Sequence, residues 1–358
     1  MIFGIYTPEE VTEKAKVLFK HERAKDRLDG WFIAKEKELQ IYGSLAEYDE
    51  EVKKALIIKE IVKDIPLDLD ENQIFAGTQD DSFARSYALI NPSFKVEEFA
   101  GYCDPAAVFG DIVPNEEFTE ERIKKAKDEF LKTEYAKKLE KVYSESESYT
   151  KEVIYFFEQV TGHLIPDFRF ALKHGLKALI DEMKGKEGNG YKAFVIALEA
   201  ACDLAARYEK LAREKAEALS EPQKSQFILM ADTLKKVPLN GAENLYEAIQ
   251  SFIILWQMMC LEQAPNPFAF SVGNADRIFE PYRNGLDRDE TAALFKHFLV
   301  FFNVADRSWA ISQNIIVSGR SVCGEDLTNP TTYALLDAYY DMNLPQPILS
   351  VKLHKNTP

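Results

Sequence analysis

The chain has 358 residues, a formal net charge of −15 and 46% hydrophobic residues. That is enough apolar material for one large core or two. The acidic balance argues against nucleic acid as a partner, since phosphate binding calls for a basic face. No apolar run approaches the roughly eighteen residues that cross a bilayer, and MIFGIYTPEEVTEKAK lacks the charged-then-apolar order of a signal peptide. A cytoplasmic chain is expected. The cysteines at 103, 202, 260 and 323 lie far apart with no C-x-x-C, so neither a disulfide framework nor a metal site is expected.

Thr7-Pro8-Glu9-Glu10 reads as a helix start, with a cap, proline at the first position and acids in the first turn. The helix is predicted to run to about Arg27. Helical patterning resumes over 35–64, breaks at Tyr42-Gly43-Ser44 and ends at Ile65-Pro66. Its second part places Val52, Ala55, Leu56, Ile58 and Val62 on one side. Ile74-Phe75-Ala76-Gly77 is a short apolar strand or turn. Residues 116–140 alternate acids and bases, as a solvated helix does. Tyr155, Phe156 and Phe157 follow in an aromatic stretch. Gly162-His163-Leu164-Ile165-Pro166-Asp167 interrupts it, because proline removes a helix donor.

A helix over 167–184 carries His174, read as structural. The loop 184–190 is rich in glycine but lacks the G-x-x-x-x-G-K-[ST] pattern of a phosphate loop. A long helix over 191–219 has Ala197, Ala200, Ala201, Ala205 and Ala206, small enough for close helix packing, and Cys202. That thiol and Cys260 sit on apolar helical faces and read as inert core groups. Another helix ends near Lys236.

Lys236 to Tyr282 is the stretch that organises the rest. After Pro238 and Asn240-Gly241, the residues Leu245, Ala248, Ile249, Phe252, Ile253, Trp256 and Met259 recur at spacings of three and four. Met258 falls off that face, so this helix should be buried on more than one side. Phe268-Ala269-Phe270-Ser271 reads as a strand, broken by Val272-Gly273-Asn274. An amphipathic helix over 289–302, a buried strand over 310–317, a helix from Pro330 capped by Thr328 or Asn329, and a last strand over 348–353 complete the pattern. Strand–helix–strand connections make parallel pairs, and the last strand has no element after it to cover its edge.

The order of these motifs resembles the glycyl radical enzymes, the pyruvate formate-lyase-like superfamily. The residues that carry it are Pro238, Tyr246-Glu247-Ala248-Ile249-Gln250, Ser271-Val272-Gly273, Asp276 and Pro281-Tyr282. Asn274 departs from the pattern, since the family usually has Arg there. Gly162-His163 with Pro166-Asp167 resembles a turn of the dehydratase-like branch. Gln313-Asn314, Asn329, Tyr333, Leu335-Leu336-Asp337, Pro345-Gln346-Pro347 and Ser350-Val351-Lys352 resemble a later block. Together the matches span roughly residues 70 to 358.

The resemblance implies an α/β, helix-rich fold: the N-terminal half of a ten-stranded glycyl-radical-type β/α barrel, incomplete at its C-terminus. Residues 1–70 would be a helical region and 71–358 the first part of the catalytic domain. It also implies chemistry on a small polar substrate by radical elimination or bond cleavage, of lyase or dehydratase type. The organic glycyl radical would be installed by an activase using S-adenosylmethionine and an iron-sulfur cluster. The family's catalytic Cys and radical Gly are expected beyond this sequence, so the chain alone is expected to be inactive. Cys103 reads instead as a half-buried residue ahead of a helix start.

Substrate-binding residues implied by the resemblance are His163, Ser271 and Tyr155. His163 would orient a hydroxyl or carboxylate, Ser271 would hydrogen-bond to substrate, and Tyr155 would pack against it. A His hydrogen-bonded to backbone is the other reading of position 163. Asp276 would hold its turn. Two alternatives stay open: a parent enzyme with formate acetyltransferase-like activity, and a non-catalytic half that binds a partner chain. The assembly would be a homodimer or a pairing with a C-terminal partner chain.

Overall fold

A computed structural model describes residues 2–24, 31–77, 119–150, 164–262, 270–302, 314–344 and 346–358. The order is α1 (Pro8–Ala24), α2 (Trp31–Ile41), α3 (Glu50–Asp64), α4 (Glu120–Lys132), α5 (Glu134–Thr150), α6 (Phe168–Lys184), α7 (Asn189–Ala218), α8 (Gln223–Lys236) and α9 (Leu245–Glu262). It continues with β1 (Gly273–Asn274), α10 (Ala275–Phe279), α11 (Arg288–Phe302), β2 (Asn314–Ser318), α12 (Pro330–Met342) and β3 (Ile348–Lys352). The strands form a parallel sheet in the order β1-β2-β3.

Helix α9 lies between two cores. Ile249, Phe252, Ile253 and Trp256 enter the first, with α1, α11, α12 and the sheet. Ile254, Met258 and Leu261 enter the second, with α3, α6, α7 and α8. The burial of Met258 is the second face that its position in the sequence implied. The first core is built of rings. Phe252 packs on Phe168 at 4.5 Å and on Phe298 at 5.4 Å between centroids, and Phe279 meets Phe295 and Phe298 at 5.6 and 5.7 Å. Each fully buried ring contributes about 1.5–3 kcal/mol of transfer free energy. In the second core, Ala200, Ala201, Ala205, Ala212 and Ala216 let α7 approach its neighbours closely. Ala206, expected in that stripe, is exposed.

Several sequence expectations change in three dimensions. The charged stretch expected as one helix divides at Thr133, whose hydroxyl bonds the Phe130 carbonyl and takes the Ala136 N–H, so α5 starts afresh. Helix α6 is kinked at Gly175, at φ 74°. The turn after α8 enters the kink: Leu176 and Lys177 N–H groups donate to the Pro238 and Leu239 carbonyls, and Ala242 N–H donates to Leu172. A side chain at Gly175 would stand 2.4 Å from the Asn240 backbone.

Helix α11, expected to be amphipathic, is buried on all sides from Thr291 to Phe302. Its polar groups are met in part, and His297 Nδ1 has no hydrogen-bond partner among the described residues. Lys296 Nζ pairs with Asp341 Oδ2 at 2.7 Å and donates to Thr12 Oγ1 at 3.1 Å. His297 Nε2 bonds the Val11 carbonyl at 3.0 Å, and burial pushes its pKa from 6.5 down to about 3. The 74–77 segment forms no strand; it is held instead by side chains. Tyr246 Oη donates to the Ile74 carbonyl, and Gln226 Nε2 donates to that carbonyl at 3.1 Å and to Tyr246 Oη at 3.0 Å.

The first strand of the sheet is displaced from its expected place. Pairing begins with an isolated parallel bridge between Leu164 and Phe270 and continues at Gly273–Asn274, where a break was expected. Gly273 and Asn274 take partners on Ile315 and Ile316, so the backbone that reads as a turn is used for pairing. Residues 268 and 269 lie outside the described residues.

Candidate functional site

The register of β2 and β3 sorts their side chains. Ile315 and Val317 are fully buried in the first core, and Leu349, opposite Ile315, packs against it. Alternation turns Asn314, Ile316, Ser350 and Lys352 to the other face. The expected burial of β2 on both faces is therefore corrected: Ile316 is only half-buried. Asn274 pairs with Ile316 and extends that face to β1.

A row of neutral polar groups crosses the sheet near the start of the strands. Ser271 Oγ accepts the backbone N–H of Asn314 at 3.2 Å. Asn314 Nδ2 donates to Ser350 Oγ at 3.1 Å. Asn314 Oδ1 is shielded from solvent and has no hydrogen-bond partner among the described residues. Burying such an acceptor unpaired costs about 1–3 kcal/mol, so the row carries an unmet capacity to accept a hydrogen bond. Ser271 is 7% exposed, and its N–H donates to the Leu164 carbonyl at 3.0 Å.

Asp276 fixes the turn after β1. Its carboxylate is fully buried. Oδ2 accepts from Ser318 N–H and from Thr332 Oγ1, each at 2.6 Å, and Oδ1 accepts from Arg277 N–H at 2.8 Å. One side chain thus ties the start of α10, the end of β2 and the start of α12. Helix α12 is capped by Asn329, whose side chain accepts from Thr332 N–H while Thr332 Oγ1 accepts from Asn329 N–H. Where the resembled pattern has Arg at position 274, the guanidinium here arrives from Arg277, one helical turn on, and donates to the Asn274 amide oxygen.

Of the three residues expected to bind substrate, Ser271 belongs to the polar row. His163 and Tyr155 lie outside the described residues, as does Cys103. Leu164, which follows His163, is bonded to the strand segment that carries Ser271. Asn314 and Ser350 were legible only as parts of family-like motifs. Their signal was alternation: each flanks an apolar residue that points to the core. Among the described residues, no three His, Cys, Asp or Glu side chains gather as metal ligands would, and no helix is long and apolar enough to cross a membrane. The thiol of Cys202 is pushed up to about 11 by burial, as its expected inertness requires.

A parallel sheet roofed by helices, with a polar row on its other face, is the frame of a helix-rich α/β enzyme. The family model for pyruvate formate lyase-like proteins matches residues 10–358, and the chain belongs to that family. It is 26% identical over 227 residues to isethionate sulfite-lyase of Bilophila wadsworthia, a match covering 54% of this chain and 27% of that one. It is 29% identical over 216 residues to trans-4-hydroxy-L-proline dehydratase of Clostridioides difficile, with the same coverage. Among solved structures, the fold matches the glycerol-bound B12-independent glycerol dehydratase of Clostridium butyricum with a TM-score of 0.77 at 22% identity, over 99% of this chain and 48% of that one. Hydroxyproline dehydratase of Clostridioides difficile matches with a TM-score of 0.78, also at 22% identity, over 97% and 48%. The chain spans about half the length of these solved relatives. The resemblance to glycyl radical lyases and dehydratases read from the sequence is that of its relatives.

Proposed function

We propose that this chain supplies one substrate-binding wall of a glycyl radical lyase or dehydratase, with residues 71–358 as the first part of its catalytic domain. The observation that carries this reading is the row Ser271–Asn314–Ser350, in which the Asn314 and Ser350 side chains lie on the sheet face turned away from the core. Neutral hydroxyl and amide groups in a fixed line suit recognition of a hydroxylated small molecule. The Asn314 N–H holds the Ser271 hydroxyl in one orientation for hydrogen bonding to a substrate oxygen. Leu164 brings the backbone next to His163 alongside that segment, which favours the two side chains serving one pocket. Tyr155 would line it.

A radical on glycine, relayed through a cysteine thiol, supplies hydrogen-atom abstraction in such enzymes. In this reading both residues come from a further stretch of polypeptide, continuous with this one or separate, and an S-adenosylmethionine/iron-sulfur activase installs the radical. The residues of this chain bind and orient the substrate and keep water from it.

The test is anaerobic. The 358-residue chain is incubated with activase, with and without a polypeptide bearing the radical glycine and thiol. A glycyl doublet in electron paramagnetic resonance and turnover of a vicinal diol are expected only with both. Ser271→Ala should lower kcat/KM about tenfold to a hundredfold at undiminished spin. A doublet from this chain alone, or full activity in Ser271→Ala, overturns the reading.

A further inference from the structure

The peptide group between Phe270 and Ser271 is held at both of its polar ends. Its carbonyl, on Phe270, accepts the indole N–H of Trp256 at 3.1 Å. Its N–H, on Ser271, donates to the Leu164 carbonyl at 3.0 Å. A peptide group is planar, so bonds at opposite ends fix its plane. The rotation that remains, about the N–Cα bond of Ser271, is stopped by the Asn314 N–H, which donates to Oγ at 3.2 Å. Three hydrogen bonds to three separate segments thus set where the Ser271 hydroxyl stands.

Both cores place Trp256 for this. It is 3% exposed, and a buried indole N–H needs an acceptor. Its ring packs on Phe302 at 5.3 Å, and Phe302 lies 5.4 Å from Phe298 and 5.9 Å from Phe252. The next residue, Gln257, is bonded to the second core, where its Nε2 donates to Tyr208 Oη at 3.2 Å. Together the two residues keep α9 from rolling about its axis. The indole is therefore a fixed donor, and the Phe270 carbonyl comes to it.

We propose that Trp256 is a positioning residue for the Ser271 hydroxyl, acting through the Phe270 carbonyl. This rests on the function proposed above and deepens it: a residue of the core sets the direction of the hydrogen bond offered to substrate. Freed of the indole, the peptide plane tilts and the hydroxyl meets the substrate oxygen off its line. The reacting geometry tolerates such a shift less than simple binding does, so kcat falls more than KM rises.

The variant that isolates the N–H carries benzothienylalanine at position 256, a ring of the same shape with sulfur in place of N–H. Trp256→Phe is its encoded companion. On the full 358-residue chain, amide exchange at Ser271 should quicken about tenfold relative to exchange in α11. In the anaerobic assay with activase and complementing polypeptide, turnover of propane-1,2-diol should show kcat about tenfold lower, KM within about threefold and undiminished spin. Placed on Ser271→Ala, the ring change should cost nothing further, because the two residues act as one unit. Should Trp256→Phe fail to fold, the benzothienylalanine chain decides alone. Wild-type exchange at Ser271, or a loss of kcat that repeats in full on Ser271→Ala, overturns the proposal. A complemented wild-type enzyme that stays inactive removes the lyase reading, and exchange at Ser271 still decides whether Trp256 positions that residue.

Discussion

Gln250 pairs with Ala76 as a neighbouring strand would. Its Oε1 accepts the Ala76 N–H at 2.7 Å and its Nε2 donates to the Ala76 carbonyl at 2.8 Å. All the groups are buried, and the two residues are 174 positions apart. A side-chain amide thus stands in for a strand that is not there. Replacing Gln250 with Leu keeps the volume and leaves two backbone groups unpaired, at about 1–3 kcal/mol each. Urea unfolding should show a loss of about 2–6 kcal/mol. A loss under about 1 kcal/mol would mean that the segment finds other partners.

Asp276 should be no more tolerant. In Asp276→Asn the shape survives, but one oxygen becomes an NH2 facing a donor. Either Ser318 N–H and Thr332 Oγ1 lose their acceptor, or Arg277 N–H does. We expect a loss of about 2–4 kcal/mol, together with faster amide exchange at Ser318. An unchanged exchange rate at Ser318 would count against the role of Asp276 as the tie between β2 and α12.

Acid stability should reflect His297. Its folded pKa, about 3, lies below the ordinary 6.5. Above pH 6.5 both folded and unfolded states hold it neutral, and its contribution is flat. Between pH 6.5 and about 3 the unfolded chain takes up a proton that the native state refuses, so stability falls as pH falls. The slope from this residue is about 1.4 kcal/mol per pH unit. Denaturation midpoints at pH 7 and pH 5 should diverge in the wild type and converge in His297→Gln. An equal pH dependence in both would assign the effect to other groups.

The described thiols should separate by reactivity. Cys323 is exposed on the loop after β2, whereas Cys202 has its pKa raised to about 11, first by burial and then by Asp203 and Glu199. Iodoacetamide at pH 8 should label Cys323 in the native chain and reach Cys202 only on unfolding. Peptide mass mapping reads both. Native labelling of Cys202 at the rate of Cys323 would show that α7 opens locally.

Much of the architecture was legible in the sequence because helices are local. Spacings of three and four marked α9 and its two buried sides, Asn329-Pro330 marked the start of α12, and the strand–helix–strand order over β2, α12 and β3 implied a parallel pair. The site was only partly legible. Ser271 was found through a motif, but Asn314 and Ser350 are made partners by strand register, and register depends on residues far apart in the chain. The same limit hid the full burial of α11, which reads as an amphipathic helix until α1 and α12 supply partners for Lys296 and His297.

Local propensity and motif order in the chain thus determined the elements, their sequence and the family to which they belong. Tertiary structure alone decided where β1 pairs, which polar groups meet across the sheet and which carboxylate ties β2 to α12. The physical reason is range. Turn chemistry and helical periodicity act within a few residues, whereas hydrogen-bond satisfaction and charge balance are settled only when distant segments are brought within about 3 Å of one another.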